Sequence, residues 1–257
     1  MSKDLFIVGV QKGGTTALHK YLSRHSQILM SDPKELHFFD NEEHDWSAST
    51  REELEIRLPR GDAVVRGEAT PIYTWWPGAL ERLRAHSPDA QLIMMLRHPT
   101  FRAFSHWRME HARGREWLSF EDAISTSGRR RSSEAPNGIS RVFSYVERGF
   151  YAPQVKSLQR LFAKEQVLFV LTDDLWLQPA ATLSEIEAFL GLEHELGLPR
   201  EYVAPIDTRG YAELDSRTRV ELDRIYRSDI LEVASLTGID LDSWLAPSYE
   251  EPAKSTY

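Results

Sequence analysis

Short apolar runs alternate along this chain with amphipathic helical patterns. Leu5 to Val10 is an apolar, β-branched run of the kind that forms a buried parallel strand. Gln11-Lys12-Gly13-Gly14 follows as a glycine turn, and from Thr15 to Leu22 the residues Ala17, Leu18, Tyr21 and Leu22 share one helical face. Gln27 to Met30 reads as a second strand, ending at Ser31-Asp32-Pro33. A polar stretch with a short helix around Glu52 to Leu58 leads to a third strand, Ala63 to Arg66, with Gly67-Glu68-Ala69-Thr70-Pro71 at its carboxyl end. Pro77 opens a helix to about His86. Gln91 to Leu96 is a continuous apolar run that implies a central strand; Arg97-His98-Pro99 ends it and opens a helix to about His111.

Beyond this point the pattern predicts a helix from Ser119, its N-cap, to Ser125. A Ser-, Arg- and Gly-rich flexible loop over 126–138 follows, a candidate lid reaching residue 140. Helices are expected over Ser140 to Glu147 and Ala152 to Ala163, a further buried strand over Val167 to Leu171, and a helix from Ala180 to Leu190 closed by Gly191. Thr208 to Tyr211 reads as a loop, and Asp215 to Leu236 as helical. Strands alternating with helices through long crossovers predict α/β architecture: one doubly wound parallel sheet in a single domain, 1–257.

Composition narrows the picture. At 257 residues, 41% hydrophobic and 27% charged, the chain can bury a large core, and no apolar run approaches membrane-spanning length. With a strand starting at Leu5 there is no room for a signal peptide, so a cytoplasmic protein is expected. The absence of cysteine excludes disulfides, thiolate nucleophiles and Cys-based zinc sites. A net charge of −8 argues against nucleic acid or another general polyanion as partner. The local run of Arg108, Arg113, Arg115 and Arg129 to Arg131 is either a solvated face or a rim for an anionic acceptor.

Strand, glycine loop and helix N-terminus together form a phosphate cradle, where free N–H groups and the helix dipole favour an anion. The loop departs from a Walker A sequence. Gly9 and Gly14 have the Walker spacing, but Thr15 follows, and the lysine, Lys12, lies inside the loop. There it would meet the distal group of a shorter 5′ chain. The bland alternative is a plain βα turn. Arg97 stands at a strand tip where nucleotide hydrolases place a metal-holding aspartate; an arginine suits a second phosphate, so a metal-independent site is expected. Pairing of Arg97 with Glu68 or an aspartate is the structural alternative. Lys12, Glu35, Glu68 and Arg97 all follow strands on one sheet edge, where open α/β sheets bind ligands.

In order along the chain, FIVGVQKGGTTAL, KELHFFD, GEATPIY and LRHPTFRAFSHW resemble sulfotransferases that use 3′-phosphoadenosine 5′-phosphosulfate (PAPS), above all heparan sulfate N- and 3-O-sulfotransferase domains and their bacterial relatives. The resemblance runs from Leu5 to about Trp244. It implies a P-loop NTPase-like three-layer fold in which Lys12, Gly13, Gly14, Thr15 and Thr16 wrap the 5′-phosphosulfate and Lys12 neutralises charge on the departing bridging oxygen. It matches Arg97 and Ser105 to ligands of the 3′-phosphate and Arg209-Gly210 to a loop closing over it; an ordinary glycine turn is the alternative for the last pair. Tyr151 is either an adenine contact or core packing. Glu35 aligns with the general base of the heparan enzymes, and His37 is the alternative base; a salt bridge from Glu35 to Lys34 or Lys12 is the structural alternative. Packing among Leu36, Phe38 and Phe39 is expected to raise the Glu35 pKa.

Where those enzymes carry a lysine after the glutamate matching Glu68, this chain has Ala69, which disfavours a heparan-type acceptor. The expected partner is a small-molecule, lipid or saccharide acceptor, with PAPS as donor, the desulfated nucleotide (PAP) as product and no metal. A homodimer stays open. Trp75 and Trp76 either stack on an acceptor ring or pack locally. Two other readings compete: a small-molecule kinase using ATP and magnesium, and a non-catalytic nucleotide-binding protein.

Overall fold

The computed structural model describes residues 2–196 and 213–252. Strands β1 (Lys3–Gly9), β2 (Ile28–Met30), β3 (Val65–Glu68), β4 (Gln91–Leu96) and β5 (Val167–Leu171) form one sheet in the order β2-β3-β1-β4-β5. Every pairing is parallel. The helices are α1 (Thr15–Leu22), α2 (Arg51–Arg57), α3 (Ala79–His86), α4 (Pro99–Ala112), α5 (Phe120–Ile124), α6 (Thr126–Ser133), α7 (Ala152–Leu161), α8 (Thr172–Leu177), α9 (Pro179–Leu190) and α10 (Ser216–Thr237). None is long and apolar enough to cross a membrane.

The chain divides into two compact units, Met1–Arg97 with Lys156–Val203 and Pro252–Tyr257, and His98–Val155 with Ala204–Glu251. The sheet belongs to the first. Its central strand β1 is buried on both faces: Leu5 and Ile7 join Leu18, Leu22, Leu183, Ile186 and Leu190 in one core cluster, which seats α1 and α9 on that face. Phe6 points the other way, with its ring 5.8 Å from that of Phe39. Two-sided burial is why β1 reads as a continuous apolar run rather than an alternating one. Connections from β1 lead first to the β2–β3 side and then, through α3, to β4 on the other side. The order therefore reverses at β1, and a crevice is expected outside its carboxyl end.

In the second unit, Tyr145, Tyr151 and Tyr226 are buried, the Tyr226 hydroxyl donates to Val146 O at 2.9 Å, and Arg102 donates to the Tyr145 carbonyl. Asp229 accepts from the N–H groups of Tyr151 (2.7 Å) and Ala152 (3.1 Å), a carboxylate at the start of α7 where the helix dipole favours it.

Several expectations are corrected. The loop read as a lid over 126–138 is ordered as α6 and a 3-10 turn, Pro136–Gly138. Ser125 caps α6 by accepting from Gly128 N, Arg129 pairs with Glu147 at 2.7 Å, and Arg131 pairs with Glu116 at 2.7 Å. Arg113 and Arg115 likewise pair with Glu110, so much of the arginine-rich run is neutralised within its own unit. Residues 140–146 form turns, not an α-helix, and a 3-10 helix, Glu147–Gly149, follows. Ser140 Oγ takes the Val142 and Phe143 N–H groups, a side-chain competitor to helical bonding. Gly78, not Pro77, caps α3, with φ 77°. β5 is an edge strand in which only Val170 is fully buried, and the short α8 escaped prediction. The span expected to be helical from Asp215 to Leu236 is one continuous helix, α10, with Asp215 as N-cap.

A Cβ on Gly128 would lie 2.1 Å from Asp122 O and 2.6 Å from Ala123 O, backbone atoms that cannot turn aside. Gly128→Ala is expected to lower stability by about 1–3 kcal/mol. An unchanged denaturant midpoint would show that 126–133 is looser than the capped helix described.

Candidate functional site

The loop after β1 turns left-handed twice, at Lys12 (φ 71°) and at Gly14 (φ 88°), the N-cap of α1. A lysine there costs roughly 1–2 kcal/mol, so its surroundings must hold it. They do so through the loop's carbonyls. Arg97, at the tip of β4, donates from Nη1 to Lys12 O at 2.8 Å. Thr172 Oγ1 lies 2.7 Å from Gly13 O and 3.0 Å from Leu96 O. Val10 O accepts from Gly13 N at 2.9 Å, and Gly14 O accepts from Ala17 N and Leu18 N. With those carbonyls turned inward, α1 opens with no side-chain cap, so the first N–H groups of the helix face outward from the sheet edge. A Cβ on Gly13 would meet Val10 O at 2.9 Å, which fixes glycine at that place.

Arg97 is 7% exposed, and its guanidinium carbon lies 5.5 Å from the Trp176 ring centre. It therefore braces the loop as well as standing at the strand tip. Thr172, which does the same from the end of β5, was missed in the sequence; a threonine directly after a strand, across the sheet from the glycine loop, was its only signal.

The second part of the site is the segment after β2. His37 is also left-handed, at φ 49°. Its Nδ1 lies 2.9 Å from Asp40 Oδ2 and its Nε2 lies 3.3 Å from Glu35 Oε2, while Lys34 Nζ lies 2.8 Å from Glu35 Oε1. The result is a carboxylate–imidazole–carboxylate array. Asp40, fully buried, went unnoticed although it ends the KELHFFD motif.

The charges follow from this geometry. Burial pushes the Glu35 carboxyl up, but hydrogen bonding to His37 and the adjacent Lys34 ammonium outweigh it and hold the carboxyl near a pKa of about 2. The sequence expectation of a raised Glu35 pKa is thus overturned, because the side chain meets two cations instead of the neighbouring phenyl rings. Hydrogen bonds to Asp40 and then to Glu35 raise the His37 imidazole to about 9. Glu68, at the end of β3 and 1% exposed, shows the opposite behaviour: desolvation raises its carboxyl to about 7. Thr70 Oγ1 donates to Glu68 Oε2 at 2.6 Å. Glu68 is therefore bonded within its own loop, while Arg97 donates to the glycine loop.

Other predicted residues are distributed differently. Ser105 lies half-buried midway along α4, in the second unit. Tyr151, in the same unit, is 1% exposed, which favours packing over contact with a base. Trp76 donates to Glu42 Oε1 at 2.7 Å, a local role. Arg209 and Gly210 lie outside the described residues. His98, buried, bonds the Trp244 carbonyl at 3.1 Å and stacks on Tyr249, a packing role.

Residues 2–209 match the model of the sulfotransferase domain. This chain belongs to that family. Among curated relatives of this sulfotransferase domain, mouse heparan sulfate glucosamine 3-O-sulfotransferase 3B1 is 34% identical over 187 residues, covering 73% of this chain and 45% of that protein. The human bifunctional heparan sulfate N-deacetylase/N-sulfotransferase 2 is 25% identical over 93% of this chain and 30% of its own length. This chain thus spans about half or less of the length of the curated relatives it matches. A solved sulfotransferase from Alicyclobacillus acidocaldarius superposes with a TM-score of 0.77 at 29% identity, covering 95% of this chain and 99% of that one.

In this sulfotransferase domain the array sets a pH window. His37 is raised from 6.5 to about 9, so its pairing stabilises the fold fully below pH 6.5 and is lost as pH rises through 9. Glu35 is lowered from 4.5 to about 2, so its share is full above 4.5 and lost as pH falls toward 2. Histidine NMR titration is expected to give one midpoint near 9, absent in His37→Asn. Glu68, raised from 4.5 to about 7, favours the fold below 4.5 and loses that contribution as pH rises through 7. Glu68→Gln is therefore expected to gain melting temperature over the natural protein between pH 5 and pH 8. A constant difference across that range would show that Glu68 stays charged.

Proposed function

We propose that this domain moves a sulfuryl group from PAPS to an acceptor hydroxyl, or less readily an amine, by direct in-line transfer and without a metal. Family membership supports the donor class. The observation that carries the reading is the arrangement at the reversal point of the sheet: a glycine loop with its carbonyls tied back, Lys12 in the loop and Arg97 at the adjacent strand tip. A kinase of the Walker type would need its lysine after the second glycine and a carboxylate for magnesium.

On this reading the helix N-terminus and the hydroxyls of Thr15 and Thr16 bind the 5′-phosphosulfate, and Lys12 stabilises the charge that builds on the bridging oxygen as the S–O bond breaks. Motif matching adds Arg97 and Ser105 for the 3′-phosphate, with Arg209-Gly210 as a further contribution. Glu35 takes the proton of the attacking group. His37 is an imidazolium up to pH about 9 and has no vacant nitrogen with which to act as base, which favours Glu35. A carboxylate with a pKa of about 2 serves, because a hydroxyl becomes strongly acidic as its oxygen bonds sulfur. Asp40 then fixes the His37 ring, and the imidazolium holds Glu35 in place and, with Lys34, balances its charge.

The acceptor is proposed to be a small metabolite, lipid or saccharide rather than a densely sulfated chain, because the net charge is −8 and Ala69 puts no cation beside the site. Calorimetry with PAP in excess EDTA is expected to show metal-free binding that weakens on Lys12→Ala and on Arg97→Ala, with ATP binding much more weakly. Glu35→Gln should retain PAP binding and lose about 10²–10⁴-fold in turnover. Binding of ATP that appears only with magnesium, and no binding of PAP, would sink the proposal in favour of a kinase.

A further inference from the structure

A histidine in the left-handed region with both ring nitrogens engaged must be held there by its backbone, and the holding contacts converge on one carboxylate. Lys34 O accepts from Ala69 N at 3.3 Å and from Ser31 Oγ at 3.1 Å. The His37 N–H points to Thr70 Oγ1 at 3.4 Å, and the Phe38 N–H donates to the Tyr73 hydroxyl at 3.1 Å. Two successive amides of the turn are thus received by two hydroxyls of the segment after β3, both on fully buried residues.

A hydroxyl has one hydrogen to give. Thr70 gives its hydrogen to Glu68 Oε2 at 2.6 Å, which leaves the lone pairs of Oγ1 turned toward the His37 N–H. The Tyr73 hydroxyl and the Leu36 N–H also lie close enough to Glu68 to favour its charge, although no group reaches hydrogen-bonding geometry on Oε1 among the described residues. A buried carboxylate with one oxygen unsatisfied is costly in a plain scaffold. Its position beneath the turn gives it a task.

We propose that Glu68 is a positioning residue for the base: by orienting the Thr70 hydroxyl it fixes the left-handed turn at His37, and so sets the approach of His37 to Glu35. The inference rests on the reading of Glu35 as the base, and it concerns geometry two hydrogen bonds away from that group. Thr70 belongs to the same device, since it is the only link of this chain of contacts that touches both Glu68 and the His37 amide.

The test compares Thr70→Val, which keeps shape and removes the hydroxyl, with Thr70→Ser, which restores it, and Glu68→Ala with Glu68→Gln, which keeps an acceptor oxygen. Three quantities are read: the His37 midpoint by NMR, calorimetric binding of PAP, and kcat and KM. Thr70→Val and Glu68→Ala are expected to lower the His37 midpoint by about one unit. They should also reduce kcat by about a hundredfold, with the KM for donor and the binding of PAP little changed. Thr70→Ser and Glu68→Gln should stay near the natural values. If Glu68→Ala does not fold, Thr70→Val decides. A folded Thr70→Val protein with an unmoved His37 midpoint overturns the inference, even if transfer activity falls. Failure of the natural protein to bind PAP overturns the functional reading instead, and leaves the His37 titration to judge the positioning role.

Discussion

The glycine loop after β1 is held by the partners of its own carbonyls, and much of this site follows from that constraint. Val10, Lys12, Gly13 and Gly14 each turn a carbonyl inward, onto Gly13 N, Arg97, Thr172 and the first turn of α1. Two of those partners stand at the ends of β4 and β5, so the loop is set by the sheet itself. The left-handed Lys12 is affordable only under these ties. The same parallel sheet brings every carboxyl end to one edge, which is why a loop, an arginine and a buried glutamate far apart in sequence meet on that side.

The electrostatics divide the carboxylates by role. Glu35 and Glu68 both suffer desolvation, yet one is driven down and the other up, because Glu35 is hydrogen-bonded to His37 and Lys34, whereas Glu68 is fully buried and feels Lys34 only as a weaker charge. His37, between Glu35 and Asp40, makes the difference. It keeps this partly exposed glutamate ionised throughout the neutral range, at the cost of basicity.

Much of the fold was legible. The spans of α1 and β4 agree with their apolar patterns residue for residue, and Gly191 closes α9 with φ 72° as a glycine stop should. Failures came where side chains decide the backbone. Ser125 capping and the Arg131–Glu116 pair make a helix from a segment that composition marks as loop, and Ser140 unmakes one that propensity favours. In the site, glycine, lysine and arginine were legible because loop chemistry demands those types at those places. Thr172 and Asp40 were not, since a hydroxyl bonding a carbonyl across a sheet leaves no periodic trace. The Glu35 pKa failed for a related reason: hydrophobic neighbours in sequence were taken for neighbours in space, and the structure sets Lys34 and His37 there instead.

The position of β5 bears on how the chain is made. Its partner β4 is complete at Leu96, but Val167 to Leu171 arrive only after the whole of His98–Val155 has been synthesised. At about 5–20 residues per second, the open edge of the central strands waits several seconds for its last neighbour. Thr172, which anchors the glycine loop, comes later still. The glycine loop therefore cannot reach its final form on the nascent chain until the second unit's first segment has left the ribosome, and until then the apolar edge of β4 lacks its neighbour.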